Sequence, residues 1–147
     1  MQKDLRFKTL LDLVFSRLPE LAYEYVVTTV WSMGICVSAF ELELPEEIKL
    51  RLLTVLNAHI DSGSVDPSSY ANIPSLVFSL TCFFTPEEMN ELVTETVEKL
   101  SKIYCDVMLE RMDLLNCSSL LMSWGRSFMR NEELLERVSE EIFAKHR

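Results

Sequence analysis

The stretch Ser118–Ile142, SSLLMSWGRSFMRNEELLERVSEEI, reads as two helices in succession. The first is apolar and ends near Met129; the second opens at Asn131 with an acidic face. Leu120, Leu121, Trp124 and Phe128 recur at three-and-four spacing, as do Leu134, Leu135, Val138 and Ile142, which is the stripe of a helix with one buried side. The same pair occurs twice upstream. Ser32 of VVTTVWSMGICVSAF, Ser79 of NIPSLVFSLTCFF and Ser123 of NCSSLLMSWGRSFM align at spacings of 47 and 44. Each serine follows a large residue (Trp31, Phe78, Met122) and precedes another (Met33, Leu80, Trp124), then a small one (Gly34, Thr81, Gly125). A second helix follows each copy: PEEIKLRLLTVL, PEEMNELVTETV and NEELLERVSEEI, with acidic pairs at Glu46-Glu47, Glu87-Glu88 and Glu132-Glu133.

The helix starts are well marked. Thr85-Pro86-Glu87-Glu88 places a capping threonine, a proline at the first helical position and a glutamate at the third, so a helix is expected to open there. Asp66-Pro67 is a similar opening, after the loop DSGSVDP. One hairpin of helices cannot bury its own apolar side, whereas stacked hairpins cover one another and about three are needed for stability. The reading is therefore all-α: a short α-solenoid of about three helix-hairpin repeats plus an N-terminal helix, Lys3–Arg17. The units span approximately 21–62, 67–109 and 113–147 within a single domain, 1–147. Trp31, Phe78 and Trp124 are expected at equivalent spots one layer apart. The competing architecture is a globular bundle whose helices only look alike.

Composition agrees with helices. A 147-residue chain with 48% apolar residues can bury roughly 70% of its unfolded surface without a disulfide or metal. Three glycines, five prolines and no Asn-Gly or Asp-Gly pair leave little material for hairpin turns. The net charge is −9, with 6 basic and 10 acidic residues up to Phe84 and 8 and 13 after it, so neither half carries the basic field of a free-standing nucleic-acid binder. Cys36, Cys82, Cys105 and Cys117 have no ligand-like spacing and read as reduced, buried small hydrophobes in a reducing intracellular compartment. No apolar run is long enough for a membrane span. The start, MQKDLRFKTLLDLVFSRL, is amphipathic, but Asp4 and Asp12 suit a structural helix better than a transit peptide; a presequence, if the protein is made with one, is absent from this chain.

The unit of LLMSWGRSF, a short turn and NEELLERVSEEI resembles the helical repeats of organellar RNA-metabolism proteins: the octotricopeptide and heptatricopeptide families and the repeats that precede RAP domains. Their units carry a Leu-Leu-Trp-Ala-like helix followed by an acidic Asp-Glu-Leu-Leu helix. The resemblance covers roughly residues 21–146 and is strongest over Leu114–Ile142. It implies a mitochondrial matrix location and a structural place in a ribonucleoprotein such as the mitoribosome, with other protein subunits as partners and rRNA or organellar RNA touched locally. The chain departs from the family in having few units and an acidic balance, which argues against one-base-per-repeat reading. A direct organellar RNA-binding protein is the second reading, and a protein-interaction adaptor unrelated to RNA the third.

Signals for chemistry are few. His59 lies at a helix end, where an imidazole meets the last carbonyls, and His146 is the only other histidine. No metal site, cofactor, catalytic group or small-molecule substrate is expected, and the chain reads as a non-enzyme. Lys99 and Lys102, three apart, and Arg126 and Arg130, four apart at the end of the third apolar helix, are the candidate contacts for phosphates or an acidic partner. The alternative is that they pair with Glu95, Glu98, Glu132 or Glu133 and keep the surface solvated.

Overall fold

Seven α-helices are seen in the computed structural model, which describes residues 5–145, the side chain of Phe7 excepted. They are α1 Leu5–Arg17, α2 Tyr23–Phe40, α3 Glu46–Asp61, α4 Ile73–Thr81, α5 Glu91–Met108, α6 Leu114–Arg126 and α7 Glu132–Lys145. Short 3-10 turns occupy Leu18–Glu20, Pro67–Asn72, Pro86–Glu88 and Leu109–Arg111, and no strand occurs among the described residues. The expected N-terminal helix is present from Leu5; Lys3 lies outside the described residues.

Local chemistry sets the breaks. Pro19 starts the turn that ends α1. α2 stops at Glu41, whose φ of 49° is left-handed, and α3 stops at Gly63, φ 71°, where glycine meets that conformation without a Cβ clash. There Ser64 N–H reaches back to the His59 carbonyl at 2.9 Å, satisfying one orphan acceptor of the helix end. Asp66 opens the turn before α4 by accepting from Ser68 N–H at 2.9 Å. Asp113 opens α6 by accepting from Asn116 N–H at 2.7 Å, and Asn131 opens α7 by accepting from Leu134 N–H at 3.0 Å.

One expected start is displaced. Pro86–Glu88 forms only a 3-10 turn, and the Thr85 side chain makes no cap. Met89 and Asn90 are extended, and α5 begins at Glu91, where Asn90 Oδ1 accepts from Val93 N–H at 3.0 Å. Asn90-Glu91-Leu92 is thus the counterpart of Asn131-Glu132-Glu133, and Glu87-Glu88 belongs to the connector.

α4 packs between α2 and α6, and α5 packs between α3 and α7. α2 also rests on α3, α4 on α5, and α6 on α5. One continuous apolar core lies among these helices and includes Val26, Leu56, Leu80, Leu100, Leu120 and Val138. α1 packs mainly on the Leu18–Glu20 turn, which in turn touches α3. The core of this end is Phe15 and Leu18, both buried.

The three aromatic residues expected to be equivalent are not. Trp124 is 5% exposed and its Nε1–H donates to Ser101 Oγ of α5 at 2.7 Å. Trp31 is half-buried with its indole N–H unpartnered, and Phe78 is half-buried beneath the Arg126 guanidinium. The reason is register: Trp31 and Phe78 precede the aligned serines and Trp124 follows one, and two residues turn a helix by about 200°. One position after each serine, Met33, Leu80 and Trp124 are all buried. Cysteine burial is also split: Cys105 and Cys117 are buried, whereas Cys36 and Cys82 are partly exposed, and all four are free thiols.

Candidate functional site

The basic residues singled out from the sequence fall on two elements. Lys99 and Lys102 lie on α5; Arg126 ends α6, and Arg130 lies in the connector to α7 rather than on the same helix. A left-handed Phe128, φ 55°, breaks the chain between the two arginines, so their four-residue spacing is not a helical one.

Lys99 is engaged across helices. Its Nζ donates to Asp61 Oδ1 at 3.0 Å and to Asn57 Oδ1 at 3.3 Å, both on α3. Asn57 is buried in the apolar stripe of α3 and donates to Thr96 Oγ1 at 2.6 Å and to the Leu53 carbonyl at 2.9 Å. A buried amide costs little only when it is satisfied, so this bridge fixes how α5 sits on α3. Lys102 is exposed and has no partner among the described residues.

Arg126 folds back onto α4. Its guanidinium lies 4.9 Å from the Phe78 ring centroid and donates from Nη1 to Cys82 Sγ at 3.1 Å. Arg130 is exposed and without a partner among the described residues. Of the expected glutamate partners, Glu98 accepts instead from the Asn131 side chain at 2.7 Å. α7 is tied to α5 by Arg137, which donates to Asp106 at 2.9 Å and to the Cys105 carbonyl at 2.8 Å.

His59 does not meet the carbonyls of its own helix end. Its Nε2 lies 3.1 Å from the Leu21 carbonyl, and its ring meets Tyr23 edge-on with centroids 6.0 Å apart. It joins α3 to the start of α2. His146 lies outside the described residues.

A surface hollow of about 460 Å³ opens where α2, α4 and α6 end, lined by Val37, Cys82, Phe84, Met89, Arg126 and Phe128. It is half apolar, and the one charged group on its wall, Arg126, is already stacked on Phe78. Burial pushes the Cys105 thiol up to about 11 and raises that of Cys117, so neither supplies a thiolate at neutral pH. Burial likewise pushes the Tyr104 phenol up to about 12. Among the described residues no group of three His, Cys, Asp or Glu side chains is placed to hold a metal ion. No helix of the described residues is long and apolar enough to cross a membrane.

What the surface offers is helix faces. α6 exposes Leu114, Leu115, Leu121 and Met122 along one side, and α2 exposes Tyr25 and Ile35 on the side away from α4. These faces escaped the sequence reading, because their residues are as apolar as those of buried stripes and only the order of packing shows which side is left uncovered. No family model matches this chain, and neither a curated protein nor a solved structure matches it.

Proposed function

We propose that the chain is a non-catalytic scaffold: a short α-solenoid that serves as a structural subunit of a larger assembly. The observation that carries this is the pairing order, α2 on α4 on α6 and α3 on α5 on α7, combined with uncovered apolar residues on both outer members of the first row. Stacked rows of this kind add layers by repetition, and each terminal layer either carries a polar face or meets a neighbour. Here Leu114, 59% exposed, and Ile35, 65% exposed, are of the second kind.

We take the assembly to be a ribonucleoprotein of the mitochondrial matrix, such as the mitoribosome, a reading supported by the resemblance of the unit LLMSWGRSF and NEELLERVSEEI to organellar helical repeats. Tagged protein, expressed in its own cells and sedimented through a gradient, is expected to travel with a large particle and to stay there in moderate salt. Sedimentation as a free small protein would overturn the scaffold reading. Direct RNA binding rests on Lys102 and Arg130, which are exposed and unpartnered among the described residues. It is weakened by the occupation of Lys99 and Arg126. Tight RNA binding by the purified chain with a steep salt dependence would favour it over the scaffold reading.

A further inference from the structure

We propose that the two ends of the α2–α4–α6 row fit each other, so that a second copy of this chain docks its α2 onto α6 and extends the row head to tail. The template is internal. Two positions after the aligned serine, Gly34 of α2 stands against Ser79 of α4, and the positions nine, five and two before the serine and two after it can be compared across the three copies. In α2 these are Tyr23, Val27, Val30 and Gly34, all buried. In the second copy they are Tyr70, Pro74, Val77 and Thr81, the first half-buried and the rest buried. In α6 they are Leu114, Ser118, Leu121 and Gly125, and every one is exposed. By contrast, the positions six before and one after the serine stay buried in all three copies: Val26, Ile73 and Cys117, and Met33, Leu80 and Trp124, the last bonded to Ser101 of α5. What α6 lacks is specifically the next helix of the row.

The glycines show what that helix needs. A Cβ on Gly34 would stand 2.9 Å from the Cβ of Ser79, so the α2–α4 contact depends on a glycine opposite the aligned serine. Gly125 is the counterpart of Gly34, and nothing lies within 4 Å of where its Cβ would be. The aligned serines complete the pattern: Ser123 is buried, Ser79 half-buried and Ser32 exposed. Ser32 is therefore a serine with no glycine opposite it, and Gly125 a glycine with no serine. Around Ser32 the outer face of α2 presents Tyr25, Thr28 and Ile35. Leu114, Ser118, Leu121 and Gly125 give the α6 face no charge, while the α2 face bears one, the exposed Glu24 a turn before Thr28. Among the described residues nothing covers this α2 face: Tyr25, Thr28, Ser32 and Ile35 are all exposed. The contact is heterologous, so it yields a ring if the rotation closes and an open filament if it does not. It rests on the stacked architecture proposed above and is independent of the ribonucleoprotein assignment.

Sedimentation of the purified full chain tests this. The average mass of the wild type is expected to rise with concentration beyond the dimer. Ser32→Arg blocks one end and Gly125→Arg the other, so each variant alone is expected to stay monomeric. Mixed in equal amounts they are expected to form a dimer that grows no further, since each retains the end the other has lost. Circular dichroism and thermal melting check the fold of both, and Ile35→Glu with Leu121→Glu repeats the experiment at other exposed positions. Association abolished by Gly125→Arg but untouched by Ser32→Arg would mean that α6 pairs with α6, and would overturn the head-to-tail contact. A wild type that is monomeric at every concentration would overturn self-association while leaving the gradient test of the scaffold unaffected.

Discussion

The two tryptophans are chemically identical and energetically different. Trp124 is buried and its N–H is satisfied by Ser101, itself fully buried. Trp124→Phe strands that hydroxyl and is expected to cost about 1–2 kcal/mol in denaturant unfolding. Trp31 has a buried N–H with no partner, so Trp31→Phe removes an unpaid desolvation and is expected to be neutral or stabilising. Equal losses in the two variants would contradict the distinction. At this scale the sequence is legible in its apolar stripes, such as Leu120 with Trp124 and Leu134 with Val138, all buried, and misleading in the aromatics it aligns. Large apolar side chains draw attention wherever they fall, yet a shift of two positions turns Trp124 to the opposite side of its helix from Trp31. The Asn57–Thr96–Lys99 bridge was not legible, because nothing in the order of residues says that an asparagine inside an apolar stripe will find a threonine 39 positions on.

Helix existence could be read from apolar periodicity; helix starts could be read only where the capping residue was the first in line. Thr85-Pro86-Glu87-Glu88 has every local feature of an opening, but the chain turns once there and begins again at Asn90. Asn90→Ala is therefore expected to lower stability by about 1 kcal/mol, and Thr85→Ala by a few tenths at most, in paired urea titrations. The reverse order would restore the earlier start. α5 also holds the groups that set alkaline behaviour. Burial raises Cys105 from 9.0 to about 11 and Tyr104 from 10.0 to about 12, so the folded chain keeps protons that the unfolded chain releases. Their contribution is complete below pH 9, fades as pH rises through the folded values, and is gone above about 12. Stability should accordingly fall from about pH 9 upward, and Tyr104→Phe should flatten the part of that decline above pH 10. In the same way, Cys36 and Cys82 are expected to react with a thiol reagent in the native protein, and Cys105 and Cys117 only after unfolding.

For the molecule as a whole, the all-helical character was readable and the uncovered helix faces were not. The letters mark apolar helices, but they do not say which of them lacks a neighbour. Leu121 and Val77 look alike in sequence; one is exposed and the other fully buried, because α4 packs between α2 and α6 whereas, among the described residues, α6 has no such second neighbour beyond α4. The claim on which the account turns is that α2, α4 and α6 are successive members of one row, with Gly34 pressed against the next member and Gly125 facing the place where a further one would lie. Denaturant unfolding of Gly34→Ala and Gly125→Ala, at concentrations where the chain is monomeric, measures this directly. Gly125→Ala is expected to gain up to about 1 kcal/mol from helix propensity in open space. Gly34→Ala is expected to lose about 1–2 kcal/mol net, because its new methyl group collides with Ser79. A Gly34→Ala protein stabilised to the same extent as Gly125→Ala would contradict the row.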